Sequence, residues 1–400
     1  MSKSISRRQL LTNALKDGPV LALGAGLLDM ATFSHVQAFS SNGYPQEPLQ
    51  DADENGIRLP RGFKSKIVAI SDETVKKSDG KKTEYIWHGS PDGGACFTKP
   101  EGGWVYVSNS EEYFPSGGCG AISFDVSGAV DNAYSILWGT VGNCAGGATP
   151  WQTWLSCEEV DCGAVYECDP FGKKQAIKQA ALGYFKHEAV AVDPERGQLY
   201  LTEDEKDGCL YRFTPTNALP DLTDGVLEVA CVDEQHQVSW KPVSNACPHK
   251  ILMNTRTRYQ VPEAKKFRGG EGIWYQRGLI ILATKRDNRI WVLDVVSQEL
   301  QILYDAAQSQ DAILSGVDNL TATPWGEVLV AEDGGDMQLV SLDANGKAQP
   351  LLQVVNQEGS EITGPAFSPD GKYLYFSSQR GKDAEKRLGI TYQIWASGNT

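Results

Sequence analysis

Positive charge is scarce in this 400-residue chain: 37 Lys and Arg stand against 51 Asp and Glu, which gives a net charge of −14. Nucleic acids and anionic lipid surfaces are bound through clustered Lys and Arg, so this balance argues against both as partners. The excess of acid suits bound cations. It also suits the solubility of an exported protein, but solubility does not explain acids that recur at one position of a repeat.

Long apolar runs are missing beyond residue 40, so the sequence predicts no membrane anchor in the mature chain. Near the start, Arg7 and Arg8 precede a weakly apolar stretch, residues 19–28, that is too short to span a bilayer. With the small-residue site at 36–38, the pattern predicts a twin-arginine export signal over residues 1–38. A basic amphipathic helix is the alternative. We therefore expect a periplasmic or secreted protein.

Nine cysteines follow the predicted signal, and an oxidising compartment favours disulfides. The odd count leaves at least one sulfur unpaired. Cys231 with Cys247 could staple a long connection, and Cys157, Cys162 and Cys168 are near neighbours in the chain. The spacing does not decide the pairing.

Familiar catalytic motifs are also absent: the sequence has no G-x-S-x-G, no H-E-x-x-H and no Walker phosphate loop. It has instead a strand–turn–strand phrase written six times. In most copies, turn residues drawn from Pro, Asp and Gly precede a β-branched or aromatic run, and a second strand usually follows. The copies begin at Pro100, Thr149, Asp193, Tyr275, Thr323 and Pro369.

This repeat predicts the architecture. Its copies lie roughly 45 residues apart, except for one expanded connection, and this is the pitch of a propeller blade. We therefore predict an all-β fold, a six-bladed β-propeller with a metal site in the central channel, as a single domain over residues 39–400. The prolines and weak periodicity of residues 214–265 predict an insertion over one face, which could act as a lid. Residues 39–60 should close the ring or lie over it.

A polar or sulfur side chain recurs where the innermost strand of four repeats should begin, 13 to 15 positions before the end of the next strand. These side chains belong to Cys144, Glu188, Glu271 and Asp318. Inner strands start around the same channel, so the side chains should converge, and converging carboxylates repel one another unless a cation lies among them. Acids at the strand ends should form an outer set of ligands: Glu158, Glu159, Glu203 and Glu332.

The mixture of ligands indicates two kinds of metal. Hard carboxylate oxygens suit Ca²⁺, whereas one thiolate among carboxylates suits a transition metal such as iron. Cys144 is followed by Gly146 and Gly147, which allow the backbone to come close to a ligand. The alternatives are a buried or disulfide-bonded Cys144 and solvated acids at the blade edges.

Five phrases, in this order, resemble the PhoX-type alkaline phosphatase family. They are N-C-A-G-G-A-T-P-W-Q-T-W-L-S-C-E-E from Asn143, K-H-E-A-V-A-V-D from Lys186, G-E-G-I from Gly270, D-N-L-T-A-T-P-W from Asp318 and G-P-A-F-S-P-D-G from Gly364. The resemblance runs from about residue 60 to the C-terminus. It implies a six-bladed propeller whose channel holds iron and calcium bridged by an oxide, and which hydrolyses phosphate monoesters outside the cytoplasm.

The resemblance also implies roles for single residues. The positions of the iron ligands are matched by Cys144, Glu188 and Glu271. The calcium positions are matched less closely, by Glu158 or Glu159, Glu203, Asp318 and Glu332. These are the positions that the repeat singles out by itself.

The phosphate clamp departs from the family pattern. Family phosphatases place an Arg two positions before the third glutamate ligand, where this chain has Gly269, with Arg268 one position earlier. Arg268 and Lys285 are therefore the candidate catalytic residues that would bind the phosphoryl group, with Arg286 as a further source of charge. Surface salt bridges are the alternative for each.

The leading hypothesis is an exported, metal-dependent phosphohydrolase, a monoesterase that acts on a small phosphate ester. A calcium-dependent lactonase of the same fold is a second interpretation, although it needs no thiolate. A non-enzymatic propeller that binds a partner or stores metal is a third. His187, next to Glu188, is either a general base or a packed residue. Propellers are often monomers, so we expect a monomer.

Overall fold

The computed structural model describes residues 47–248, 255–309 and 312–397. The predicted export signal lies outside the described residues. Four strands come before the first complete blade: β1 (Ile57–Arg58), β2 (Phe63–Ile70), β3 (Thr74–Lys76) and β4 (Lys82–Ile86). The last two pair only with each other, as a separate hairpin. In the described part of the chain, no helix is both long and apolar enough to cross a bilayer.

The first three blades are antiparallel sheets with their strands in chain order. Blade 1 consists of β5 (Pro91–Thr98), β6 (Trp104–Ser110), β7 (Gly117–Phe124) and β8 (Val130–Thr140). Blade 2 consists of β9 (Asn143–Ala148), β10 (Trp154–Glu158), β11 (Val165–Cys168) and β12 (Ile177–Lys178). Blade 3 consists of β13 (His187–Asp193), β14 (Gln198–Glu203), β15 (Leu210–Pro215), β16 (Gly225–Val232) and β17 (Val238–Pro242).

The other three blades follow the same plan, and the N-terminal strands complete two of them. Blade 4 consists of β18 (Gly270–Gln276), β19 (Leu279–Thr284), β20 (Arg289–Asp294) and β21 (Leu300–Asp305). Blade 5 consists of β22 (Val317–Ala322), β23 (Val328–Glu332), β24 (Gln338–Leu342) and β25 (Ala348–Val354), with β1 on its outer edge. Blade 6 consists of β26 (Ile362–Phe367), β27 (Tyr373–Ser378) and β28 (Ile390–Ala396), with β2 outermost.

The six blades close into a ring around one channel, which confirms the predicted fold. The innermost strands β5, β9, β13, β18, β22 and β26 contact one another in this order, and β26 contacts β5. Because β2 pairs along its length with the C-terminal strand β28, the two ends of the chain complete the same blade. Apolar side chains fill the space between neighbouring blades; Leu155 and Leu201, for example, are fully buried between blades 2 and 3.

The repeated phrase folds as the hairpin that joins the first two strands of a blade. In the three copies that begin with Thr or Asp, this first residue closes the turn through a side-chain oxygen, which accepts hydrogen bonds from backbone N–H groups a few residues ahead. Thr149 Oγ1 accepts from the N–H of Thr153 at 2.9 Å, and Thr323 Oγ1 accepts in the same way from Glu327 at 2.9 Å. The turn residues in the sequence therefore mark the C-terminal ends of the innermost strands.

The predicted insertion over residues 214–265 needs correction. Its first half is regular structure, since β16 and β17 are the two outer strands of blade 3. Prolines at its edges conceal these strands in the sequence: Pro215 ends β15 and Pro242 ends β17, an edge strand, where a missing N–H is tolerated. The described residues that follow are 243–248 and 255–269. Among them, Arg258 contacts Glu203, the last residue of β14 in blade 3.

The cysteines are not paired in this structure. All nine lie within the described residues and all are free thiols, so the staple between Cys231 and Cys247 is not formed. Cys157 and Cys168 are fully buried in the apolar layers between blades.

Candidate metal centre in the channel

A bulge lies at the start of the inner strand in five blades. Two residues there oppose one residue of the next strand, and such bulges redirect side chains. The first residue of each bulged pair carries a candidate ligand: Asp92, Cys144, Glu188, Glu271 and Asp318. Their exposure ranges from 1% to 8%. In blade 6 the bulge falls one residue later, on Gly364 and Pro365, and offers no ligand.

Channel side chains form three groups in which the ligand atoms all lie within 4.8 Å of one another. The groups are Cys144, Glu159 and Glu188; Glu188, Glu271 and Asp318; and Asp318, Asp333 and Glu361. Glu188 and Asp318 each belong to two groups, so the three form a continuous arc. The Sγ atom of Cys144 lies 3.3 Å from Glu188 Oε1 and 3.6 Å from Asp92 Oδ2, which adds Asp92 to one end.

The acid pairs at the strand ends divide into two roles. The first acid of each pair accepts a hydrogen bond from the backbone N–H six residues ahead: Glu158 from Ala164, Glu203 from Cys209 and Glu332 from Gln338. These three carboxylates close the loops on the upper face, the face where the inner strands begin, and belong to none of the three groups. In blades 2 and 5 the second acid, Glu159 or Asp333, belongs to a channel group. In blade 3 the second acid, Asp204, pairs with Lys186 at 3.1 Å. The structure thus separates Glu159 from the other predicted outer ligands.

Burial and mutual repulsion both oppose the charging of the channel acids. Burial raises the pKa of Glu188 well above its usual range, and the neighbouring carboxylates, Glu271 first among them, raise it further. Burial likewise raises the pKa of the Cys144 thiol, with Asp92 and Glu188 adding to the effect. The pKa of Glu159 rises to about 7, chiefly through burial. A cation among these groups would reverse this effect, since it favours their charged forms.

The residues present fit a metal centre. Glu188 Oε2 and Glu271 Oε1 are buried oxygens without a hydrogen-bond partner, although buried polar atoms are normally paired. Each belongs to a buried residue, with exposures of 1% and 2%. Several carboxylates with one sulfur form a donor set that suits Ca²⁺ on the oxygen-only side and iron beside the thiolate.

Three residues of the arc escape the sequence analysis: Asp92, Asp333 and Glu361, since Glu332 and not Asp333 was predicted from that acid pair. Asp92 is the blade 1 equivalent of Cys144, but it precedes the strand end at Ser110 by 18 positions, more than in the other blades. Its Oδ2 accepts a hydrogen bond from Gln379 at 2.6 Å. Glu361 lies just before β26 and is held by Arg380 at 2.5 Å. The fixed spacing hides Asp92, and the sixth blade lacks the acidic strand end that would have indicated Glu361. Asp333 was missed because the sequence does not show which acid of its pair faces the channel.

The two candidate clamp residues differ in their surroundings. Lys285 Nζ lies 2.6 Å from Asp333 and 3.1 Å from Asp318, so its ammonium is inside the channel arc. The Arg268 side chain is exposed, one residue before the turn at Gly269, and makes no ion pair among the described residues. Arg286 lies 3.9 Å from Asp204.

His187 is a packed residue in this structure. Its ring is fully buried and lies 3.6 Å from the ring of Phe185, and its Nε2 is 3.0 Å from the carbonyl oxygen of Gly183. Burial lowers the pKa of His187 to about 3, so the imidazole is neutral. Its side chain holds the start of β13 in place, next to Glu188.

Glu158 and Glu159 differ in role, and this difference allows a matched test of metal binding within blade 2. We expect Glu159→Gln to reduce the bound metal, since Glu159 belongs to the group with Cys144 and Glu188. Glu158→Gln should keep the metal and lower the free energy of unfolding by no more than about 1 kcal/mol, the contribution of a typical hydrogen bond. Metal content by mass spectrometry and denaturant titration measure the two effects. The opposite pattern, with metal lost only from Glu158→Gln, would contradict the assignment.

Comparison with known proteins agrees with this geometry. A family model described as alkaline phosphatase PhoX matches residues 115–164, 160–298 and 283–381. The fold is similar to that of Pseudomonas fluorescens PhoX in complex with vanadate, a transition state analogue, with 17% identity and a TM-score of 0.73 over 89% of this chain and 98% of that chain. A Xanthomonas campestris gluconolactonase matches with 11% identity and a TM-score of 0.48 over 88% of this chain and 98% of that chain. No curated protein sequence matches the chain.

Proposed function

Because this chain belongs to the alkaline phosphatase PhoX family, we propose that it is an exported phosphate monoesterase that uses iron and calcium held in its channel. Membership in the family makes it a metal-dependent hydrolase of phosphoric esters, not a lactonase or a propeller without enzymatic activity. The single observation that carries the proposed centre is the arc of carboxylates around Cys144, with two buried oxygens that have no hydrogen-bond partner. Export is proposed from the twin arginines at Arg7 and Arg8.

The proposed centre uses the bulged residues of four neighbouring blades. Asp92, Cys144, Glu188 and Glu271 would hold the cations, with iron beside the sulfur and calcium among the oxygens. Lewis acidity toward the phosphate oxygens is what these metals supply when bound. The side chains themselves fix the position of this charge, because each starts from an innermost strand that pairs with the second strand of its blade and packs against its neighbours in the ring.

A phosphate dianion must approach a protein with a net charge of −14, so positive side chains at the upper face matter. We propose that Arg268 and Lys285 bind the phosphoryl oxygens. Lys285 follows the end of β19 and reaches the arc directly. Arg268 is close to the same loop, since its carbonyl oxygen accepts a hydrogen bond from the N–H of Arg286 at 3.1 Å. Both groups would stabilise negative charge on the transferring phosphoryl group.

Metal analysis with a phosphatase assay tests this proposal. Protein from metal-replete cells should contain iron and calcium, absorb visible light through charge transfer from thiolate to iron, and release phosphate from p-nitrophenyl phosphate. Cys144→Ser should remove the absorption band, whereas Cys157→Ser, which changes a buried cysteine outside the arc, should keep it. Colourless, iron-free wild-type protein would refute the iron centre, and a Cys144→Ser variant with an unchanged spectrum would place the thiolate elsewhere.

A further inference from the structure

Lys285 stands out among the equivalent positions of the six blades. The residue that follows the second strand at the upper face is Glu111, Glu159, Asp204, Lys285, Asp333 or Gln379. Four of these residues are acids and one is an amide, and Lys285 is the single base. The chain therefore places a positive charge at a position of the repeat where the other blades have an acid or an amide.

The Lys285 ammonium lies inside a cage of carboxylates from two blades. Its Nζ is 2.6 Å from Asp333, 3.1 Å from Asp318 and 3.9 Å from Glu271. The ammonium therefore offsets the mutual repulsion of three carboxylates that surround one position. Carboxylate oxygens that surround one position are also the kind of donor that Ca²⁺ prefers.

Two further observations indicate that this cage is built for a cation. Glu271 is 2% exposed, and its Oε1 faces the cage without a hydrogen-bond partner. On the far side, Arg380 lies 2.5 Å from Glu361 and 4.0 Å from Asp333. Two side-chain cations, Lys285 and Arg380, therefore offset most of the charge of Asp318, Asp333 and Glu361. In the group of Cys144, Lys186 pairs with Glu159 at 2.6 Å, and Glu188 forms no ion pair among the described residues.

We propose that the Lys285 ammonium occupies the place of a divalent cation among Glu271, Asp318 and Asp333. The chain then binds one divalent cation fewer than its carboxylates would allow, and removal of the ammonium opens a calcium site. This inference depends on cation binding in the channel but not on hydrolysis. It is compatible with phosphate binding by Lys285, since a cation in this place would present the same sign of charge to the substrate.

The number of bound cations tests this inference directly. Lys285→Ser should bind one more Ca²⁺ per chain than the wild type, measured by mass spectrometry and by calcium titration calorimetry, and its melting temperature should rise with added Ca²⁺. Lys285→Arg, which keeps the charge, should match the wild type. Lys81→Ser, which removes a charge from an exposed pair with Asp79, should match it too. An equal calcium count in folded Lys285→Ser and wild type would overturn the proposal.

A second variant keeps the question open to test if Lys285→Ser does not fold. Asp333→Asn in the wild-type background removes one cage carboxylate but leaves the ammonium in place. We expect it to keep the full number of bound cations, because in this view Asp333 serves Lys285 and not a metal. Loss of one equivalent of metal from Asp333→Asn would refute the inference. Wild-type protein that binds no cation at all would instead refute the proposed metal centre, and with it the inference.

Discussion

We expect Glu188→Gln to lose bound metal and nearly all phosphate release, because one carboxylate belongs to two of the three candidate ligand groups. Glu188 shares the first group with Cys144 and Glu159 and the second with Glu271 and Asp318. Gln has nearly the same volume, so the fold should survive while both groups lose a negative ligand. We expect kcat/KM toward p-nitrophenyl phosphate to fall at least ~1000-fold, which corresponds to about 4 kcal/mol of transition-state stabilisation.

The control for this variant makes the same chemical change outside the channel. Glu228 lies on β16, an outer strand of blade 3, and its carboxylate is 2.6 Å from Arg212. Glu228→Gln should keep its metal and its activity within about twofold, since partly exposed ion pairs contribute little. Metal content and steady-state kinetics on both variants decide the matter. Glu188→Gln protein with a full complement of metal and more than a tenth of the activity would contradict the shared-ligand role.

The sequence predicted the ring because its turn chemistry is local. Thr149 and Thr323 close hairpin turns through their own side chains, so each copy of the phrase indicates one hairpin without any knowledge of distant contacts. The candidate inner ligands Cys144, Glu188, Glu271 and Asp318 were predicted for a related reason. Each lies at nearly the same number of residues from the turn and from the strand end, and the structure brings all four to the channel arc.

The division of the acid pairs could not be predicted in the same way. Adjacent residues of a strand point to opposite faces, so Glu158 and Glu159 must differ in role, but the sequence does not show which of them faces the channel. The answer depends on the bulge in the paired strand, which shifts the register between Ser156 and Glu158. Asp92 was missed because the first hairpin is longer than the others.

Long-range ion pairs set a second limit on sequence reasoning. Glu203 was predicted as a calcium ligand because it ends a strand beside Asp204. In the structure, Arg258 lies 2.7 Å from its Oε1, and Tyr211 donates a hydrogen bond to its Oε2 at 2.8 Å. Arg258 stands 55 residues further along the chain in a connection without repeats. No local pattern joins these two residues, so only the fold reveals the pair.

Arg258→Ala should be the most destabilising change outside the core, with a loss of about 3 kcal/mol in the free energy of unfolding. Glu203 is fully buried and the Arg258 side chain is 11% exposed, so removal of the guanidinium leaves a buried carboxylate without its partner, a change that typically costs 3–5 kcal/mol. Glu205 and Asp207, at 3.2 Å and 3.4 Å from Arg258, would lose the same cation. Guanidinium titration followed by tryptophan fluorescence measures the difference.

Two companion variants separate this buried pair from a general effect of charge. Arg256→Ala removes an arginine two residues away, whose partner Asp161 is 41% exposed, and should cost less than about 1 kcal/mol. The double variant Glu203→Gln with Arg258→Ala should be more stable than Arg258→Ala alone, because the unpaired buried charge is gone. If Arg258→Ala and Arg256→Ala lowered the stability equally, Arg258 would be one more surface charge. The connection to blade 4 would then be held by other contacts.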